Sequence, residues 1–538
     1  MNNIFKTYRL KSWPMCLAAV AALAASCSDL LDEMPDNRTE LNSVENVKQL
    51  LTSAYPAVSA SVICGLSADS FEDNNVVSPS ASFSPIYGWY DDAFAWDDMK
   101  NYTDAEYDSP FSFWEAHYMA IATCNHALQA IDGMLADGTA IESEVQSYRG
   151  EALVMRAYLH FCLVNVFSHA YKDSVTSLAD MGIPYVTVPE TTVFVDYDRS
   201  TVTETYAAIE RDLLAGLPLI DDTAYDVPAY HMNKAAANAF AARFFLYKRE
   251  WAKAERYATL ALGGNPASVL RGWANQTGTT IESKCAWYNN ETQACNFMLQ
   301  ANNSLLWRVV GVTNRYGING VAGNVTTNGV GPCWTSLLPC YSGNIYAAQD
   351  DRCGSYLFFA DEYFESTDKS AGIGKCHVVG HPFTAEETLL CRAEARLYSG
   401  DVSGCITDLN TWAASKLCTM SLDEKRIKDF YFAGLTGIVC DINVDKMGWS
   451  TADVAVAKQY KHVVDCILHF RHIETVYEGM RWYDVKRYGI PLTHVVRQGG
   501  DTQNVTLTLD WNDPRRAIQI PNTVADAGLA VNPRTATN

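Results

Sequence analysis

Apolar residues recur every three or four positions over residues 111–135, 145–169, 201–216, 233–262, 384–399, 403–416 and 454–479. That spacing places them on one stripe of a helix, so each segment is predicted to be an amphipathic helix. Strict alternation is rare. NSLLWRVVGV (303–312) reads as a strand, and a mostly α-helical fold with a few short strands is expected.

Two helical segments match each other without a gap. ANAFAARFFLYKREWAKAERYATLAL (237–262) sets Ala242, Leu246, Tyr247, Glu250, Trp251 and Ala254 where TLLCRAEARLYSGDVSGCITDLNTWA (388–413) sets Ala393, Leu397, Tyr398, Asp401, Val402 and Cys405. Each reads as helix, tight turn and second helix, with a small residue where the helices cross. Such a unit resembles a tetratricopeptide-type hairpin, which buries its apolar face on the next. Residues 263–382 have another texture, rich in Gly, Asn, Thr and aromatics, and read as long loops. Long loops on a rigid helical scaffold are the usual place for binding, so binding loops are expected there and in 64–110.

Charge narrows the ligand class. A formal net charge of -21 repels nucleic acid and anionic lipid, which need a basic patch. An aromatic content of 12% exceeds what a core alone requires and leaves rings for a binding surface. At the N-terminus Lys6, Arg9 and Lys11 precede the apolar run Met15 to Ala25, too short to span a bilayer and therefore a signal peptide. Ala24, Ala25 and Ser26 before Cys27 resemble a bacterial lipobox, with Leu23 one place earlier than usual. Cys27 is then the acylated first residue of the mature chain, behind a signal peptide at 1–26, and the acidic run Asp29 to Asp36 follows it.

Catalytic and metal motifs are weak. The 16 cysteines include no CxxC, so most read as buried thiols. His469, His472 and Glu474 use metal-ligand residue types, but the same stretch carries Ile473, Val476 and Tyr477 at apolar positions. Its Glu478, Arg481, Asp484 and Arg487 fit a structural charge network. Cys376, His377 and His381 are interrupted by Gly380, and Ser366 with Lys369 lacks the partner motifs of a serine acyl-enzyme. There is no G-x-S-x-G elbow, phosphate loop or dinucleotide fingerprint, so no catalytic residue, metal or cofactor is assigned.

Several blocks resemble one family. The lipobox-like cysteine, SDLLDEMPDNR and VENVKQLLTSAYPAV (44–58) resemble the start of SusD/RagB-family outer-membrane lipoproteins. Arg156, Ala157, Tyr158 and Phe161 are similar to that family's R-x-x-R-A segment, and EETLLCRAEARLYSGD (386–401) to its L-L-x-R-A-E-A helix. RHIETVYEGMRWYDVKRYG (471–489) is similar to its closing signature, and Ile518 to Pro521 to its I-P end. Phe470 departs from the pattern, which has an acid there. The resemblance implies a helical scaffold of four tetratricopeptide-like hairpins, with region 27–262 followed by region 263–538 in one globular unit. It also implies a non-enzymatic cell-surface protein that captures oligosaccharides and delivers them to a SusC-like TonB-dependent transporter. A peptide ligand is the alternative, and a glycoside hydrolase the third reading.

SPIYGWYDDAFAWDD (84–98) sets rings against carboxylates. Sugars stack C–H faces on rings while their hydroxyls need polar partners, so the expected platform is Trp89, Tyr90 and Trp96 with Asp91 and Asp97. CAWYNNE (285–291) and the stretch 314–338 add Trp287, Tyr288, Asn289, Tyr316 and Trp334.

Overall fold

The computed structural model describes residues 41–75, 87–100, 102, 106–190, 192, 195–276, 280–310, 314–318, 323, 326, 329–341, 357–432, 438–498 and 504–534. The signal-like segment 1–26, Cys27 and the acids behind it lie outside the described residues. Ser43–Asn538 forms one compact unit. Its first helices are α1 Val44–Leu51, α2 Ser61–Ser67, α3 Gly88–Ala95, α4 Pro110–Asp137, α5 Glu142–Phe167, α6 Val202–Gly216, α7 Lys234–Tyr247, α8 Trp251–Leu262 and α9 Ile281–Tyr288. After the short turn α10 Leu306–Val309 come α11 Ala385–Tyr398, α12 Val402–Ser415, α13 Glu424–Phe432, α14 Thr451–Gln459, α15 Lys461–Glu474, α16 Met480–Tyr488 and α17 Asn522–Asp526.

The helical periodicity of the sequence is realised, with breaks inside two of the predicted segments. Residues 233–262 divide into α7 and α8, because Arg249 adopts a left-handed φ of 61° and turns the chain back on itself. Residues 454–479 divide into α14 and α15 at Tyr460 and end at Glu474. The matched pairs α7–α8 and α11–α12 are both hairpins, and α11 packs against α8 as one repeat does on the next. Helices α5 and α6 cross closely at two glycines. A Cβ on Gly150 would lie 2.9 Å from Leu219 Cβ and 3.0 Å from the Gly216 carbonyl, so only glycine fits there.

Small sheets brace the helices. Strands β1 Glu72–Asp73, β3 Tyr316–Gly317, β6 Leu492–Val496 and β7 Val505–Leu509 form one in the order β3-β1-β6-β7. Strands β2 Asn296–Asn303, β4 Tyr363–Asp368 and β5 Ile373–Thr384 form another, in the order β2-β5-β4. The strand expected at 303–312 is a misplacement, since β2 ends at Asn303 and α10 follows. Asp108 Oδ2 accepts the Leu305 N–H at 2.9 Å and Ser304 Oγ accepts the Leu306 N–H at 3.1 Å. Those side-chain acceptors take over from the strand ladder and turn the backbone into a helix.

The motif arginines tie the helices together from inside. Arg156 in α5 donates to Asp212 of α6 at 2.7 Å and to Asn125 of α4 at 2.8 Å, joining three helices. Arg392 donates to Asp408 at 2.9 and 2.7 Å and closes the α11–α12 hairpin. Arg481 grips Asp69 with two bonds of 2.7 Å, holding α16 against the segment after α2. Gly479 starts α16 at φ 72°, where a Cβ would also crowd Cys64 Cβ at 3.0 Å. Phe470, where an acid was expected, is fully buried and stacks on Trp412 with ring centroids 4.3 Å apart. A ring pair replaces the ion pair.

Candidate functional site

Residues 87–98 do not form an exposed platform, and 84–86 lie outside the described residues. Residues 88–95 are α3, and on a helix Trp89, Tyr90, Ala93 and Phe94 fall on one buried stripe while Asp91 and Asp92 face outward. The linear alternation of rings and acids is therefore helical amphipathicity. Trp89 is 0% exposed, Tyr90 1% and Trp96 4%, so none offers a ring face to a sugar. The Trp96 indole N–H donates to the Ser67 carbonyl at 2.8 Å and its ring stacks on His494. The aspartates have separate partners: Asp91 pairs with Arg315 at 2.9 Å and Asp98 with Arg534 at 2.6 Å, while Asp97 is exposed.

The other expected rings also turn inward. Tyr316 is buried and donates its hydroxyl to Asp91. Trp334 is buried against Phe470 and His469, its indole N–H on the Gly329 carbonyl at 2.9 Å. Tyr288 packs on Phe359, with the Arg271 guanidinium 3.5 Å from its ring centroid. Trp287 is half-buried beside Trp273, and Asn289 donates to the Cys285 sulfur at 3.1 Å. The short, ring-dense segments supply core, because a large apolar unit of this kind needs them there.

The histidine motifs disperse in the same way. His472 bonds Ser70 at 3.0 Å, His469 bonds Tyr431 at 3.0 Å, and Glu474 pairs with Lys416 at 2.7 Å. His377 bonds Glu365 at 2.8 Å, and the Arg308 guanidinium donates to the Cys376 sulfur at 3.3 Å. Among the described residues no group of three His, Cys, Asp or Glu side chains is placed to hold a metal ion.

An open groove lies elsewhere. A groove of about 550 Å³ runs between the first turns of α4 and the edge of the sheet β2-β5-β4. Tyr55, Tyr107, Asp108, Glu115, Asn303 and Lys375 line it. Tyr107 and Asp108 fall in the segment 64–110 and Asn303 and Lys375 in 263–382, where binding loops were expected, while Tyr55 and Glu115 come from outside both. Ser109 caps α4 by accepting the Ser112 N–H at 3.1 Å, which fixes the turn carrying Tyr107 and Asp108. Asp108 is fully buried at a left-handed φ of 57°, and its Oδ1 has no hydrogen-bond partner. Burial pushes its carboxyl up to about 7. Asn303 Oδ1 is likewise unpaired, and Lys375 is exposed.

The sheet continues this surface. The register pairs Tyr363 with His377, Glu365 with Lys375 and Asn303 with His377, so these side chains share one face. Tyr363 is 47% exposed and stacks on His377 with centroids 5.0 Å apart and planes 17° apart. Burial, then the neighbouring Glu365 and Tyr230, raise its phenol, and Tyr230 is itself half-exposed. One side of Tyr363 is thus backed by a ring, and the opposite side is open on the sheet face shared with Asn303 and Lys375. That arrangement suits a flat, hydroxylated ligand. Sequence reasoning missed Tyr107, Tyr230 and Tyr363. The usable signal was the lone aromatic among polar neighbours, as in Glu106-Tyr107-Asp108, rather than the ring-dense runs.

Comparison with known proteins gives a consistent relation. Residues 29–246 match the family model SusD-like_3, described as starch-binding associating with outer membrane. A putative sugar binding protein from Bacteroides vulgatus shares the fold with a TM-score of 0.59 at 18% identity, covering 92% of this chain and 99% of that one. A SusD superfamily protein of the same species gives 0.57 at 14%, over 92% and 100%. A laminarin binding SusD-like protein gives 0.52 at 14%, over 92% and 100%. No curated protein matches the chain in sequence. Among the described residues no helix is long and apolar enough to cross a membrane.

Proposed function

We propose, from the family match over residues 29–246 and the shared fold, that the chain is a SusD-like protein that captures oligosaccharides in the groove beside α4. The observation that carries this reading is Tyr363, backed by His377 and open on its outer side, on the sheet face it shares with Asn303 and Lys375 of the groove. A pyranose C–H face stacks on the tyrosine, and its hydroxyls bond Asn303, Glu115 and Lys375 along the groove. The sugar and laminarin named for the structural relatives support a glycan over a peptide. The separate partners of the carboxylates in 84–98 support capture rather than cleavage, since glycoside hydrolysis needs two carboxyl groups converging on one bond. In this reading Cys27 anchors the protein to the outer membrane by lipid, and a TonB-dependent transporter takes the captured glycan.

A glycan array followed by calorimetry tests it. Tyr363→Ala should weaken the best array ligand about tenfold, as expected for losing one stacked ring. The melting temperature should hold. Undiminished affinity in Tyr363→Ala would remove the site from this groove, and release of reducing ends by the wild type would remove the binding-only reading.

A further inference from the structure

Helix α4 carries a second groove. Ser112, Glu115, Ala116 and Met119 border the first one, whereas Trp114 and Tyr118 project from the far side of the same helix at 100° per residue. There they wall a cavity of about 380 Å³, closed by residues 195–198 and 524–529. Trp114 and Tyr118 lie 4.8 Å apart between centroids with planes at 42°. The rings are fixed from behind: Tyr118 donates to the Pro184 carbonyl at 2.9 Å, and Tyr197 donates to Glu190 at 2.6 Å. Trp114 is only 8% exposed and is held by Phe167, whose ring centroid lies 5.1 Å away.

The charge around these rings is uncompensated. Glu190, Asp196 and Asp198 line the cavity and are exposed, and none has an ion-pair partner among the described residues. The adjacent arginine does not neutralise them. Arg199 donates to the carbonyls of Gly182, Ala530 and Phe167 at 2.6, 3.0 and 3.2 Å. Carboxylates and ring faces both attract a cation, and desolvation inside a groove strengthens the attraction. A neutral sugar would use the rings but leave the acids unanswered. A sugar bearing a free amine answers both, with its C–H face on the half-buried Tyr118 and Tyr197 rings and its ammonium among the acids.

We propose that this groove is a second carbohydrate site, selective for amino sugars with a protonated, unacetylated amine. The proposal rests on the capture reading and names a ligand class for a site that reading does not use. The test is calorimetry on the full chain at pH 6 with a glucosamine tetramer, its fully N-acetylated counterpart and trilysine. The free-amine tetramer should bind, at least tenfold tighter than the acetylated one and more weakly at high salt. Asp196→Asn with Asp198→Asn, both exposed positions that leave the core untouched, should cost it at least tenfold, whereas Tyr363→Ala should leave it unchanged. No binding of the amine tetramer, equal affinity for both tetramers, or indifference to the double substitution overturns the proposal. Trilysine binding as tightly as the tetramer would also overturn it, since charge alone would then explain the site. A neutral glycan lost in Tyr363→Ala but kept in the double variant leaves the capture reading standing if this one fails.

Discussion

Arg471 donates from Nε to Asp484 Oδ2 at 2.9 Å, and both side chains are shut off from solvent. The pair joins α15 to α16 and does not stand alone. Asp484 Oδ1 accepts from Arg487 at 2.8 Å, Arg487 binds Glu394 of α11, and Arg471 reaches Glu387 of the same helix at 3.2 Å. Burial works against the Asp484 charge, yet Arg471 and then Arg487 outweigh it and hold the carboxyl below its usual range.

Removing Asp484 therefore leaves two guanidinium groups short of a buried partner. Asp484→Ala should cost about 3 kcal/mol, at the lower end for breaking a buried pair because each arginine keeps one carboxylate. Urea denaturation measures this. The folded fraction should bind glycan normally, since the network lies away from the groove. A loss of affinity without a loss of stability would place the signature helix in the site instead.

Trp89 and Trp96 become tests of the core rather than of binding. Each fills space that no neighbour can close, and Trp96 also satisfies the Ser67 carbonyl. Trp89→Ala should destabilise by about 3–5 kcal/mol, the range for truncating a buried large ring. Thermal melts would show it. A variant melting like the wild type would mean that the ring is not packed as described.

The helical scaffold was legible because its signal is redundant: a stripe such as Ala237, Phe240, Ala241 and Phe244 repeats over several turns, and propensity and spacing agree. Arg481 was legible as part of a structural charge network from its helical spacing, whereas Arg156 and the block holding Arg392 stood out only through the family resemblance. The proposed ligand face was not. Tyr363 and His377 meet only through the register of β4 with β5, and Asp108 meets Asn303 only through tertiary packing. Ring density misled, because in GWYDDAFA the aromatics follow a helix stripe and not a loop.

Buried histidines set the acid side of the stability profile. His160 donates from Nδ1 to the Arg156 carbonyl at 2.8 Å and accepts the Val186 N–H on Nε2 at 3.1 Å, the bonding of a neutral ring. Burial pushes it, and likewise His117, down to about 3 from an ordinary 6.5. Between those values the unfolded chain binds more protons, so stability is complete above pH 6.5 and falls as the pH drops toward 3. His117→Gln should flatten that fall by at most about 1.4 kcal/mol per pH unit, read from urea melts between pH 7 and 5. An unchanged slope would mean that His117 already titrates normally in the folded state.

Asp108 acts in the opposite direction. Its folded carboxyl is pushed up to about 7 from 3.8 by burial, so between those values the folded state holds the extra proton. Stability consequently declines as the pH rises from about 4 to 7 and levels off above that, where the charge is buried with Oδ1 unpaired. Asn is nearly the same shape, keeps an acceptor for the Leu305 N–H and carries no charge. Asp108→Asn should therefore match the wild type near pH 4 and melt at higher temperature than it at pH 8. A difference of equal size at both pH values would show that the Asp108 carboxyl titrates in the folded state as it does in the unfolded chain.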